Sequence, residues 1–93
     1  MHDDNRLMLL LLNELMDDDR NEDSLSSDLN FILHGNTAIL RECIIKALHN
    51  GCIKCIMPEY DKGLHRAVPV VIDNFEEGKL PYYYFQLSDL AGC

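Results

Sequence analysis

The segment Leu40 to Lys54, LRECIIKALHNGCIK, decides the fold because a helical pattern in it stops at a glycine and becomes a strand pattern. Leu40, Ile44 and Leu48 recur at the spacing that places side chains on one face of a helix. Gly51 readily adopts the left-handed conformation in which many helices end. Beyond Gly51 the apolar residues recur at alternate positions, which predicts a strand. A helix that leads directly into a strand predicts an α+β domain.

Two further helices are predicted upstream of this segment. Asn5–Met16 should form helix 1 and Ser24–Leu33 a short helix 2. A tight turn, His34–Asn36, then leads into helix 3, which Thr37 can cap and which runs to about Asn50. Two helices joined by a three-residue turn form a helix-turn-helix, whose second helix usually lies in the DNA major groove.

Three strands in a meander are predicted downstream, each with one apolar face. Pro69 cannot donate a ladder hydrogen bond, so its strand should lie at a sheet edge or carry a bulge. Pro58–Gly63 is predicted to be a loop and Asn74–Lys79 a turn. The three apolar faces comprise Ile53, Cys55 and Met57; Val68, Val70 and Ile72; and Tyr83, Phe85 and Leu87.

The length fits one domain, so residues 1–93 are predicted to fold as a single unit. The apolar run Leu7–Leu12 is far shorter than the roughly 18 residues that span a bilayer. Asp3 and Asp4 precede this run with the wrong sign for a secretory leader. We therefore expect a cytoplasmic protein whose cysteines are free thiols.

The charge is distributed unevenly along the chain. The net charge is −8, and residues 1–40 carry nine acids against two bases, whereas residues 41–79 carry six of each. Most cations therefore fall in helix 3 and the hairpin after it. The acidity alone does not exclude DNA binding, because charges more than about 8 Å away are largely screened at physiological ionic strength.

The helix-to-strand segment and the C-terminal segment Tyr82–Gly92 resemble the small winged-helix domains of the MarR and PadR type. In those domains the last core helix enters a strand through a pattern like L-x3-I-x2-L-x3-G-x-I, and a tyrosine, a leucine-threonine pair and a glycine close the wing. The matching residues are Leu40, Ile44 and Leu48, shifted by one helical position, then Gly51 and Ile53, and finally Tyr84, Leu87, Ser88 and Gly92. The chain differs at Ser88 and in the spacing to Gly92.

The resemblance covers about residues 5–92 and implies a winged helix-turn-helix, with three helices followed by a two- or three-stranded antiparallel wing. It also implies a homodimeric transcriptional regulator that binds double-stranded DNA, with helix 3 in the major groove and residues 58–66 on adjacent DNA. Arg41 would contact bases, since guanidinium pairs bidentately with guanine, although Glu42 and Ile45 flank it. The candidate DNA-binding residues are Thr37, Arg41, Lys46, Lys54, Lys62, His65 and Arg66.

Helix 1 is apolar over most of its circumference, so it needs cover from two sides. Leu7, Leu11 and Leu15 form one stripe, which the core can cover. A second chain, or the long hairpin or C-terminus of the same chain, can cover the rest. The expected homodimer contacts are Met8, Leu9, Leu12 and Met16.

The acidic connector, residues 17–23, supports an alternative function. It could bind a protein partner, making the chain an acidic adaptor or an inhibitor that imitates nucleic acid. Its acids also fall near the register of an EF-hand calcium loop, but Glu22 stands where the sharp turn requires glycine, which favours a solvated loop.

Catalysis and cofactors are not expected. The chain lacks G-x-S-x-G, a phosphate-binding P-loop and H-E-x-x-H. Cys52 and Cys55 have the C-x2-C spacing of zinc and redox sites, but residues three apart on a strand point to opposite faces. We therefore predict structural cysteines and no metal.

Overall fold

Four α-helices and a four-stranded antiparallel sheet make up the described part of the chain, residues 2–61 and 63–88 of a computed structural model. The side chains of residues 2–5, 60, 61 and 65 lie outside this description. The elements are α1 (His2–Glu14), β1 (Arg20–Asn21), α2 (Glu22–Asp28), α3 (Asn30–Leu33), α4 (Thr37–His49), β2 (Ile53–Asp61), β3 (Leu64–Val70), two 3-10 helices (Ile72–Asn74 and Glu77–Tyr82) and β4 (Tyr84–Leu87).

The α+β prediction is confirmed, but the expected order of three helices followed by strands is wrong in two places. Helix 2 is divided at Leu29 into α2 and α3. A short strand, β1, also precedes α2 inside the predicted connector and pairs with β4 through Arg20–Phe85 and Asn21–Tyr84. Both residues are polar, so the sequence around them shows no strand pattern. They form a strand because they pair with β4.

The sheet has the strand order β1-β4-β2-β3, so β4 lies between β1 and β2. Pro69 lies on β3, an edge strand, as its missing N–H predicts. The loop predicted at Pro58–Gly63 is wrong, because β2 continues to Asp61. Beyond Ile56, β2 pairs only with β3 and no longer with β4. Pro58 can therefore lie in β2, because no β4 carbonyl needs a hydrogen bond from its missing N–H.

The helix-to-strand segment folds as its pattern predicts. Leu40 and Ile44 are fully buried on α4, and Gly51 has the positive φ of 77° expected where a helix ends. The predicted cap is wrong by one residue, because Asn36 occupies the cap position and makes no capping side-chain hydrogen bond. Thr37 is instead the first helical residue.

One core joins the helices to the sheet. Leu7, Leu11 and Leu15 form the inward stripe of α1, and Phe85 is the buried centre of β4. The outer face of α1 is only partly covered: Met8 and Leu12 are half-buried against the core, whereas Leu9 and, just past the helix, Met16 are each 68% exposed. Within the described residues, the helices lack the length and apolar content that a membrane crossing requires.

Candidate functional site

Arg41, the expected base-contacting residue, is held by an acid of its own chain. Its Nε donates to Glu22 Oε2 at 2.6 Å and one terminal nitrogen donates to Glu22 Oε1 at 3.1 Å. The Glu22 side chain is only 7% exposed, whereas that of Arg41 is 47% exposed. The hydrogen bond and charge of Glu22 raise the pKa of Arg41. One edge of the guanidinium, Nε with one terminal nitrogen, is therefore occupied by Glu22, and its charge is paired with a carboxylate of the same chain.

Arg20 is similarly committed within the chain. It donates to Asp28 Oδ2 at 2.7 Å and to Ser24 Oγ at 3.0 Å, and it lies 3.6 Å from Glu14 Oε2. These contacts tie the end of α1 to α2 across β1. The cation of the acidic connector thus has a structural role.

The other candidate DNA-binding residues are distributed over several elements. Arg41 and Lys46 are five residues apart on α4, which separates them by about 140° around the helix axis. Thr37 is exposed at the start of α4. Lys54 lies on β2 opposite Gln86, Arg66 is exposed on β3 opposite Glu59, His65 lies on β3 opposite Tyr60, and Lys62 is outside the described residues.

A groove of about 690 Å³ lies between α1 and α4. We call it the α1–α4 groove. It contains three of the four residues expected at the dimer contact, Met8, Leu9 and Leu12, whereas Met16 lies beyond the end of α1 and does not line it. Its lining residues are Leu7, Met8, Leu9, Leu12, Ile39, Glu42, Cys43, Lys46, Asn50 and Cys52.

The α1–α4 groove combines an apolar surface with charges of both signs. The Cys43 thiol contacts Met8 Sδ at 4.0 Å, which joins the two helices. Leu9 and Ile39 are exposed. Glu42 and Lys46 lie on α4 at the i, i+4 spacing that places them on one side of the helix. Such a surface suits an amphipathic helix, which buries its apolar face in a groove.

The cysteines do not form the pair that their spacing allows. Cys52 takes part in a disulfide, so the expectation of free thiols is wrong for this residue. Cys55 keeps its thiol and lies on β2 opposite Phe85. Burial raises the pKa of the Cys55 thiol to about 12, which keeps it protonated and unreactive at neutral pH.

Two of the residues that would be calcium ligands in the EF-hand register, Asn21 and Asp28, make hydrogen bonds within the chain. The Asn21 side chain accepts a hydrogen bond from Ser24 N at 2.9 Å and caps α2, while Asp28 accepts from Arg20. Across residues 2–61 and 63–88, apart from the side chains left undescribed, no group of three or more potential ligands is close enough to hold a metal ion. Asp17, Asp18 and Asp23 are exposed.

Sequence reasoning missed the contribution of α4 to the groove. Ile39 and Cys43 are apolar residues at i, i+4 spacing beside the Leu40 stripe, and this second stripe was the available signal. Lys46, a candidate phosphate contact, also lines this groove. No protein-family model, curated protein or solved structure matches the chain.

Proposed function

We propose that this chain is a non-catalytic, protein-binding module that docks a helix of its partner in the α1–α4 groove. The observation that carries the proposal is the apolar groove on a strongly acidic chain. Leu9 is 68% exposed at this groove, beside the half-buried Met8 and Leu12. Clustered apolar side chains exposed beside a concavity are typical of protein interaction sites.

The state of the arginines supports a protein partner over DNA. Arg41 and Arg20 are engaged by Glu22, Asp28 and Glu14. DNA affinity rests largely on Lys and Arg side chains that neutralise phosphates. The carboxylate that pairs with Arg41 also offsets its positive charge, which weakens the attraction of this arginine for DNA phosphates.

A DNA-binding regulator is the second candidate. It is supported by α3 and α4, which a three-residue turn joins as in a helix-turn-helix, and by the β2–β3 hairpin, which follows α4 in the chain as a wing would. This arrangement agrees with the winged-helix resemblance. Lys46 and Arg66 are exposed and would carry the phosphate contacts in that case.

Affinity capture from cells that carry the chain separates the two functions. We expect the wild-type protein to retain a protein partner and the variant Leu9→Asp to lose it, because a charge in the groove opposes apolar docking. Leu64→Asp is the matched control, since Leu64 on the hairpin is 67% exposed against 68% for Leu9. The control should retain the partner.

The same affinity captures are also analysed for bound nucleic acid. Nucleic acid retained by Leu9→Asp but lost from Lys46→Glu or Arg66→Glu would contradict the protein-binding proposal. It would identify the chain as a DNA-binding protein whose phosphate contacts lie on α4 and β3.

A further inference from the structure

We infer that the partner helix in the α1–α4 groove is α1 of a second copy of this chain. The inference rests on the proposed protein-binding function and names the partner of that same site. This dimer differs from the one expected from the sequence, which uses helix 1 alone, because the side of α4 that carries Lys46 also contacts the second copy.

The surface offers both a projecting apolar side chain and a concavity that could receive one. Leu9 is exposed on α1, beside a concavity lined by Ile39 and Cys43 of α4. A two-fold axis gives each copy the same patch, so a side chain that projects from one copy meets the concavity of the other. Leu9 of each copy can then enter the groove of its partner.

The groove residues carry no excess of charge, so a second copy of this acidic chain can meet them without the repulsion that acts elsewhere. The chain has a net charge of −8, so two copies repel each other over most of their surfaces. No acid or base interrupts Leu7–Leu12 of α1, and the groove residues of α4 include one of each, Glu42 and Lys46. In a two-fold contact, Glu42 of each copy can face the partner subunit's Lys46.

Sedimentation equilibrium of the purified full chain, from micromolar to millimolar concentration, tests the inference. We expect a monomer–dimer equilibrium. Leu9→Asp should raise the dissociation constant at least about thirtyfold, as the loss of a central interface contact does. Leu64→Asp should leave it unchanged, and unaltered circular dichroism would show that both variants fold.

A complementation experiment identifies the contact without relying on loss alone. Glu42→Lys and Lys46→Glu should each weaken self-association, because each places like charges across the two-fold axis. An equimolar mixture of the two variants should restore dimers, since each then supplies the charge that the other lacks. A repulsion confined to one chain cannot be relieved by mixing.

Monomers throughout the concentration range, a dimer unaffected by Leu9→Asp, or a mixture that stays monomeric would overturn the inference. These results are distinguishable from failure of the proposed function. A monomer that captures a different protein through Leu9 contradicts only the second-copy assignment, whereas a monomer that captures no protein contradicts both.

Discussion

Leu11→Ala should lower the free energy of unfolding by about 2–5 kcal/mol, the range for truncating a fully buried leucine. Leu11 is 0% exposed, in the middle of the stripe by which α1 joins the core. The loss combines the transfer of apolar atoms to water with the cavity left behind. Because small domains are only marginally stable, this single change removes a large part of the total.

Leu9→Ala is the matched control for Leu11→Ala, since it removes the same atoms from the same helix two residues away. Leu9 is 68% exposed, so the monomer should lose less than about 0.5 kcal/mol. Urea unfolding at low protein concentration measures both variants. Equal losses would contradict the assignment of the two α1 stripes to core and groove.

Arg41→Ala should destabilise the fold markedly, although Arg41 lies at the surface. Removing it leaves the Glu22 carboxylate, which is 7% exposed, without its bidentate partner. An unpaired buried charge costs more than the pair contributes. Glu22→Gln should cost less than Arg41→Ala, because the half-exposed guanidinium left behind can be solvated by water.

Urea unfolding of three variants tests this asymmetry. Lys79→Ala is the control, because it removes an ion pair to Glu76 whose two side chains are 55% and 61% exposed, and such pairs contribute little. We expect no measurable change in that control. Equal stabilities of Arg41→Ala and Lys79→Ala would show that the Glu22 carboxylate does not need Arg41 as its partner. Arg41 would then be available for DNA.

The features that the sequence predicts well depend on local pattern. The Leu40, Ile44 and Leu48 spacing and the stop at Gly51 locate α4 and the start of β2 because both signals lie within one segment. The edge position of Pro69 follows from its missing donor in the same way. Each of these is a property of a residue and its near neighbours.

The features that the sequence misses depend on distant partners. β1 exists because Arg20 and Asn21 pair with β4 more than 60 residues later. The role of Arg41 is set by Glu22, which lies 19 residues away and across a turn. A charged residue on an exposed helix face gives no local sign of whether its partner is a phosphate or a carboxylate of the same chain.

The candidate site shows the same division. The sequence shows the outer apolar residues of α1, Met8, Leu9 and Leu12, because the apolar surface of this helix is broader than one core can cover. The other side of the groove needs α4 to be placed beside α1. Sequence alone does not give that packing, so it does not indicate that Lys46 lies beside the groove.

Hydrogen exchange of the full chain tests most directly whether the α1–α4 groove is a protein-binding site. Exchange is compared at micromolar and near-millimolar protein concentration, and again with random-sequence duplex DNA. We predict that higher concentration slows exchange in His2–Glu14 and Thr37–His49 but not in Leu64–Val70, and that DNA changes nothing. Exchange that is independent of concentration, together with DNA-induced protection of Thr37–His49 and Leu64–Val70, would contradict the account.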